Sequence, residues 1–198
     1  MIIKQKAVQT IHELSTLTDF QKIELQNQQT TASKGMFAET IRYLHDNQKI
    51  SIETLIRPRT GKYSYSDIEI KVMEADVFEA QALGVDSVAI GAITEDNQFD
   101  EDSMEQLIGA AGGMQITLNH AFDELTLAGQ KKAIDFANEH GIDRIMIAAQ
   151  PDSSAFKENL QTLINYNQGA VQFVLTGKDE KQLTKLCEQF DLHLLLVE

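Results

Sequence analysis

Glu24, Arg57, Arg59, Glu95, Asn119, His120 and Asp123 are the side chains of this sequence whose types and spacing could do chemistry. Arg57 and Arg59 flank Pro58, and guanidinium groups grip a carboxylate or phosphate through paired N–H donors. Glu24 with Asp123 could serve as base and acid, and Arg57 could bind a small anionic substrate beside them. These three form the candidate catalytic set, and Arg59, Glu95, Asn119 and His120 the candidate substrate-binding set. Each has a plainer reading. Arg57 could simply neutralise Glu24 or Glu53, Asp123 could cap a turn, and His120 could be a hydrogen-bonded surface histidine. No nucleophile-elbow, P-loop or HExxH pattern is present.

A soft-metal site finds little support in spacing. Cuprous copper prefers thiolate and thioether ligands. The lone cysteine, Cys187, shares a helical apolar stripe with Leu183, Leu186 and Phe190, and Met36, Met73, Met104, Met114 and Met146 are scattered. His12, His45, His140 and His193 fit no ligand spacing. No residue is therefore assigned to a metal.

The elements that must position these groups alternate. Ile50, Ile52 and Ile56 share one face of a strand that should stop before Pro58, because proline cannot donate to a sheet ladder. A cationic, aromatic loop with Arg59, Lys62, Tyr63 and Tyr65 follows. Ser66 with Glu69 then makes a capping box for a helix over 67–83, which Gly84 ends. The same rhythm predicts strands at 2–8, 22–26, 86–92, 114–119, 143–148, 170–176 and 192–197. The other helices are expected at 11–17, 36–46, 102–111, from 123 to 140, to about Tyr166, and from Asp179 to about Phe190. Eight strands and seven helices in alternation favour a single (β/α)8 TIM barrel over 1–198, lacking the last helix. An open doubly wound sheet is the alternative.

Strand parity adds a second expectation. Ile23, Leu25, Ile116, Leu118, Ile145 and Ile147 form the helix-facing phase, and Glu24, Glu53, Arg57, Thr117 and Arg144 fall on the other. Buried charges must pair, so an interior ionic cluster including Glu24, Glu53 and Arg57 is expected.

The balance of the chain is acidic. A formal net charge of −13 over 198 residues argues against nucleic acid or an anionic membrane as partner. The start, Met1-Ile2-Ile3-Lys4-Gln5-Lys6, lacks the apolar run of a leader. No apolar stretch approaches the ~18 residues of a membrane span. One cysteine permits no internal disulfide, and a reducing cytoplasm is the expected compartment.

Ile56-Arg57-Pro58-Arg59, Tyr65-Ser66-Asp67, and Glu69 to Val77 closely resemble the CutC copper homeostasis family. So do Gly91-Ala92-Ile93-Thr94-Glu95-Asp96, Ala121-Phe122-Asp123 and Ile23-Glu24-Leu25. The resemblance implies a cytoplasmic barrel that assembles with copies of itself, linked to copper tolerance or copper binding, with copper as the implied ion and no cofactor certain. The family's cysteine after Ile-Glu-Leu is Gln26 here, and its His-Arg pair is Asn119-His120. Three functions stay open: copper homeostasis, an enzyme acting on a small anionic substrate at the strand C-termini, or a non-catalytic binding module.

Overall fold

In the computed structural model, which describes residues 1–47 and 50–198, eight parallel strands close into a barrel in the order β1 to β8. The strands are β1 Ile3–Val8, β2 Lys22–Leu25, β3 Ser51–Leu55, β4 Ser87–Ile90, β5 Gln115–Leu118, β6 Arg144–Ala148, β7 Gln172–Gly177 and β8 Leu194–Val197. The helices between them are α1 Ile11–Leu14, α2 Lys34–Asn47, α3 Asp67–Leu83, α4 Glu101–Ala111, α5 Leu127–His140, α6 Ser154–Asn167 and α7 Glu180–Phe190. Closure rests on β1 pairing with β8, Ile3 opposite Leu194 and Lys6 opposite Val197. An open sheet would leave both strands as edges, so the doubly wound alternative is overturned.

Parity sorts the two faces of the barrel wall. Ile23, Leu25, Ile52, Val88, Ile90, Ile116, Leu118, Ile145, Ile147, Phe173, Leu175 and Leu195 pack with the helices in one large core. Ala7, Leu55, Ala89, Met146, Val174, Leu194 and Leu196 form a smaller cluster on the other phase, inside the barrel. That interior is partly polar, with Gln5, Lys22, Glu24, Glu53, Ser87, Thr117 and Arg144 all buried.

Helix α3 begins as the sequence predicts. The Ser66 hydroxyl accepts from the Glu69 amide and the Glu69 carboxylate accepts from the Ser66 amide, while Gly84 ends the helix at φ 86°. Its buried face is Ile70, Met73, Val77 and Ala80. Val72 is exposed, since two residues of helix place it ~200° from Ile70.

Two boundaries differ instructively. The helix expected to run unbroken from Asp123 is two pieces, a 3-10 turn at His120–Glu124 and then α5. Leu125 is extended and the Thr126 hydroxyl caps α5 by accepting from the Gly129 amide, so the chain restarts its helix there. Strand β3 leaves the sheet short of Arg57. The Arg57 amide donates to Thr31 Oγ1 at 2.9 Å and its carbonyl accepts from the Thr31 amide at 2.9 Å. The loop after β2 thereby satisfies the backbone where Pro58 prevents further ladder.

Candidate active site at the barrel mouth

The C-terminal ends of the strands surround a cavity of about 510 Å³. Glu24 and Gln26 enter it from β2 and its continuation, Leu55 and Arg57 from β3, and Met146 and Ala148 from β6. His120, Asp123 and Glu124 reach it from the 3-10 turn, with Ala7, Gln9, Gln29, Tyr63, Lys178 and Glu198 completing the wall.

Glu24 is the group most altered by this setting. It is 3% exposed. Oε1 accepts from Gln26 Nε2 at 3.3 Å, and Oε2 has no protein partner. Burial, reinforced by the neighbouring Glu53 charge, pushes its carboxyl up to about 8 against the pull of His120 and Lys22. Glu24 is therefore mostly a neutral carboxylic acid at pH 7.

Glu53, one strand over, is its opposite. Gln5 Nε2 and Lys22 Nζ donate to it at 2.9 Å, Thr117 Oγ1 at 2.6 Å and Arg144 Nη2 at 3.4 Å. Burial works against its charge, but Lys22, Arg144 and these hydrogen bonds prevail and hold the carboxyl down at about 2. The expected interior ionic cluster thus exists with different members. Glu53, Lys22 and Arg144 form it, and neither Glu24 nor Arg57 has an ion pair within it. On the neighbouring strands β2 and β3, Glu24 lies opposite Glu53 and Lys22 opposite Ser51, two residues below that alignment and on the same face. That register lets the lysine reach Glu53.

Arg57 is spent on backbone. Its Nη1 donates to the Gln29 carbonyl at 3.4 Å, its Nη2 to the Gly61 carbonyl, and its Cζ lies 4.1 Å from the centre of the Tyr63 ring. Nε is buried without a partner. The guanidinium is clamped between the loops after β2 and β3 and forms one wall of the cavity.

His120 and Asp123 form a pair. Nδ1 lies 2.7 Å from Asp123 Oδ2, and Nε2 lies 3.4 Å from both Glu198 Oε1 and Thr176 Oγ1. The Ala148 amide donates to Asp123 at 3.2 Å, which ties the pair to β6. Burial pulls the imidazole down, but hydrogen bonds and charge from Asp123 and Glu198 outweigh it and push it up to about 10. His120 is thus a cationic donor rather than a base.

The remaining candidates lie off the cavity. Arg59 Nε donates to Glu69 Oε1 at 2.5 Å and Nη2 to the Ser64 carbonyl at 2.8 Å, stapling its loop to the start of α3. Glu95 is exposed in the loop after β4. Asn119 is buried beneath the rim, where its Oδ1 accepts from the Ala121 amide at 3.0 Å and Nδ2 has no protein partner. A Cβ on Gly91 would come within 2.2 Å of that oxygen, so the glycine makes room for Asn119. The structure therefore assembles Glu24, Arg57, His120 and Asp123, and not Arg59, Glu95 or Asn119.

Sequence reasoning missed Tyr63, Met146, Lys178 and Glu198 as wall residues. Met146 was findable, because it shares the interior phase of β6 with Arg144. Met146 is also the sulfur in the cavity wall. Cys187 is buried on α7, with Sγ donating to the Leu194 carbonyl at 3.6 Å, on the helix side of β8. Among the described residues, no three His, Cys, Asp or Glu side chains group to hold a metal ion.

The model of the CutC family matches residues 16–189 of this chain. A CutC family protein from Enterococcus faecalis is 40% identical over 134 residues, 68% of this chain and 64% of that protein. One from Streptococcus pyogenes is 34% identical over 151 residues, 75% of this chain and 72% of that protein. The matched region is thus under two thirds of the length of the first relative and somewhat more of the second. A crystal structure of a CutC protein from Streptococcus agalactiae, named for copper homeostasis, superposes with a TM-score of 0.92 at 26% identity, covering 100% of this chain and 98% of that one.

Proposed function

The chain belongs to the CutC family, and on that premise we propose that it serves copper homeostasis, working at the barrel mouth on a small oxygen-bearing ligand rather than by gripping the metal with soft donors. The observation that carries this reading is the makeup of the mouth. Glu24, Gln26, Arg57, His120 and Asp123 line it, and among the described residues Met146 is its one sulfur. Gln26 offers a hard, neutral amide oxygen where the family resemblance places a thiolate. Cys187 is buried away from the mouth, and burial pushes its thiol up to about 11, so it resists becoming the thiolate that copper needs. Copper is the cargo of the wider process and is held weakly by this chain. It works in the cytoplasm as an assembly of identical chains. Among the described residues, no helix is long and apolar enough to cross a membrane.

Two measurements test this. Expression in a copper-sensitive host lacking its own homologue should restore growth on copper, and Glu24→Gln should weaken the rescue. Competition against a cuprous chelator under reducing conditions should show no stoichiometric uptake at submicromolar free metal, and Gln26→Cys should raise the affinity. No rescue by the unmodified chain rejects the homeostasis role. Tight stoichiometric uptake rejects the ligand assignment.

A further inference from the structure

Two side chains in the mouth are buried with a polar atom left over. Glu24 Oε1 is engaged by Gln26 while Oε2 is not, and Arg57 donates from both Nη atoms but not from Nε. Buried polar groups are nearly always hydrogen-bonded, and a pair of orphans on one cavity points to a ligand that supplies the missing partner. With Oε1 accepting, the carboxyl proton belongs on Oε2. Both orphans are then donors, one neutral and one cationic, and they call for an acceptor carrying negative charge. Ala7, Leu55 and Met146 supply an apolar stretch of the same wall.

The charges around them select among anions. Counting Glu24 as neutral, the wall carries Arg57, His120 and Lys178 against Asp123, Glu124 and Glu198. That is three positive and three negative groups, a balance that suits one negative charge beside Arg57 and disfavours two. We propose that the mouth binds a small monocarboxylate that accepts from the Glu24 carboxyl and is held by the charge of the Arg57 guanidinium in the same wall, with a short carbon skeleton against Ala7, Leu55 and Met146. This rests on the reading of the mouth as the functional site and names the class of its ligand.

A carboxylate bound there shares the Glu24 proton, so affinity depends on that proton being present. The groups that face Glu24 are Lys22 from its own strand, Glu53 from β3, His120 from the 3-10 turn and Glu198 beyond β8. Lys22 and Glu53 are locked in their own ion pair at 2.9 Å, and His120 stays protonated to about 10. The onset of the fall in affinity near pH 8 therefore reports ionisation of Glu24 in the free protein.

The test is calorimetric titration of the full chain with acetate, propionate and lactate, with propionamide and inorganic phosphate as controls. The expected result is saturable binding of at least one monocarboxylate, no binding of propionamide, and weaker binding of phosphate. Affinity should fall about tenfold per pH unit once Glu24 ionises. Glu24→Gln, which keeps a donor without a titrating proton, should bind with that pH dependence removed, and Arg57→Met should lose binding. Absence of binding by all three acids overturns the proposal, as does phosphate binding more tightly, or a pH-independent affinity in the unmodified chain. If Arg57→Met does not fold, the pH profiles of the unmodified chain and Glu24→Gln decide alone. Failure here with copper rescue still weakened in Glu24→Gln removes the ligand class and leaves the mouth as the working site.

Discussion

Replacing Glu53 by glutamine is the sharpest probe of the barrel interior. The carboxylate accepts from Gln5, Lys22, Thr117 and Arg144, and the Lys22 and Arg144 side chains are only 7% and 9% exposed. Glutamine keeps the shape but removes the charge, leaving two buried cations facing a neutral group that also carries donors. Breaking a buried pair by removing one partner costs roughly 3–5 kcal/mol. The proton linkage gives an independent figure. Lowering the carboxyl from 4.5 to about 2 corresponds to about 3 kcal/mol. Because the folded value is the depressed one, this stability is fully present above about 4.5 and is lost as pH falls towards about 2. At ~2–4 °C per kcal/mol for a chain of this size, Tm at pH 7 should drop by roughly 6–20 °C. Denaturant unfolding at pH 7, 5 and 3 reads both effects, and the gap between unmodified and Glu53→Gln proteins should close as pH falls. A cooperative Glu53→Gln protein less than ~1 kcal/mol weaker at pH 7, or a gap independent of pH, would refute the ion cluster as an organiser of the barrel.

Glu24 carries the opposite sign. Its folded value is raised to about 8, so folding takes up a proton and stability declines as pH rises from about 4.5 through 8. Glu24→Gln should flatten that decline and be the more stable protein at pH 9 by a few kcal/mol, on the order expected for a fully buried carboxyl, as measured by denaturant midpoints. Arg57→Ala should cost roughly 2–3 kcal/mol by the same measurement, through lost charged hydrogen bonds to the Gln29 and Gly61 carbonyls and the lost stack on Tyr63. A midpoint unchanged by that substitution would mean that the two loops hold their shape without the clamp. Cys187 should resist alkylation in the folded protein and react on unfolding, since burial pushes the thiol up to about 11. Rapid modification under native conditions would place it outside the core.

The sequence by itself determined the alternation of strands and helices, the two phases of each strand, and the start and stop of α3. These follow from short-range rules: apolar periods of two and 3.6, the Ser66–Glu69 box, Gly84 at positive φ, and Pro58 lacking a donor. It also brought Glu24, Arg57, His120 and Asp123 to one end of the fold, because each follows or ends a parallel strand. Only the tertiary structure decided which of them face one another. Barrel closure set the register between neighbouring strands, and that register gave Glu53 rather than Glu24 to Lys22 and Arg144. Loop conformation turned Arg57 towards the Gln29 and Gly61 carbonyls and Arg59 outward to Glu69, a choice no spacing along the chain encodes. Pairing energies of buried charges depend on distances of a few ångströms and on what else has been desolvated. Those quantities exist only once strands from opposite ends of the chain, β1 and β8, have come together.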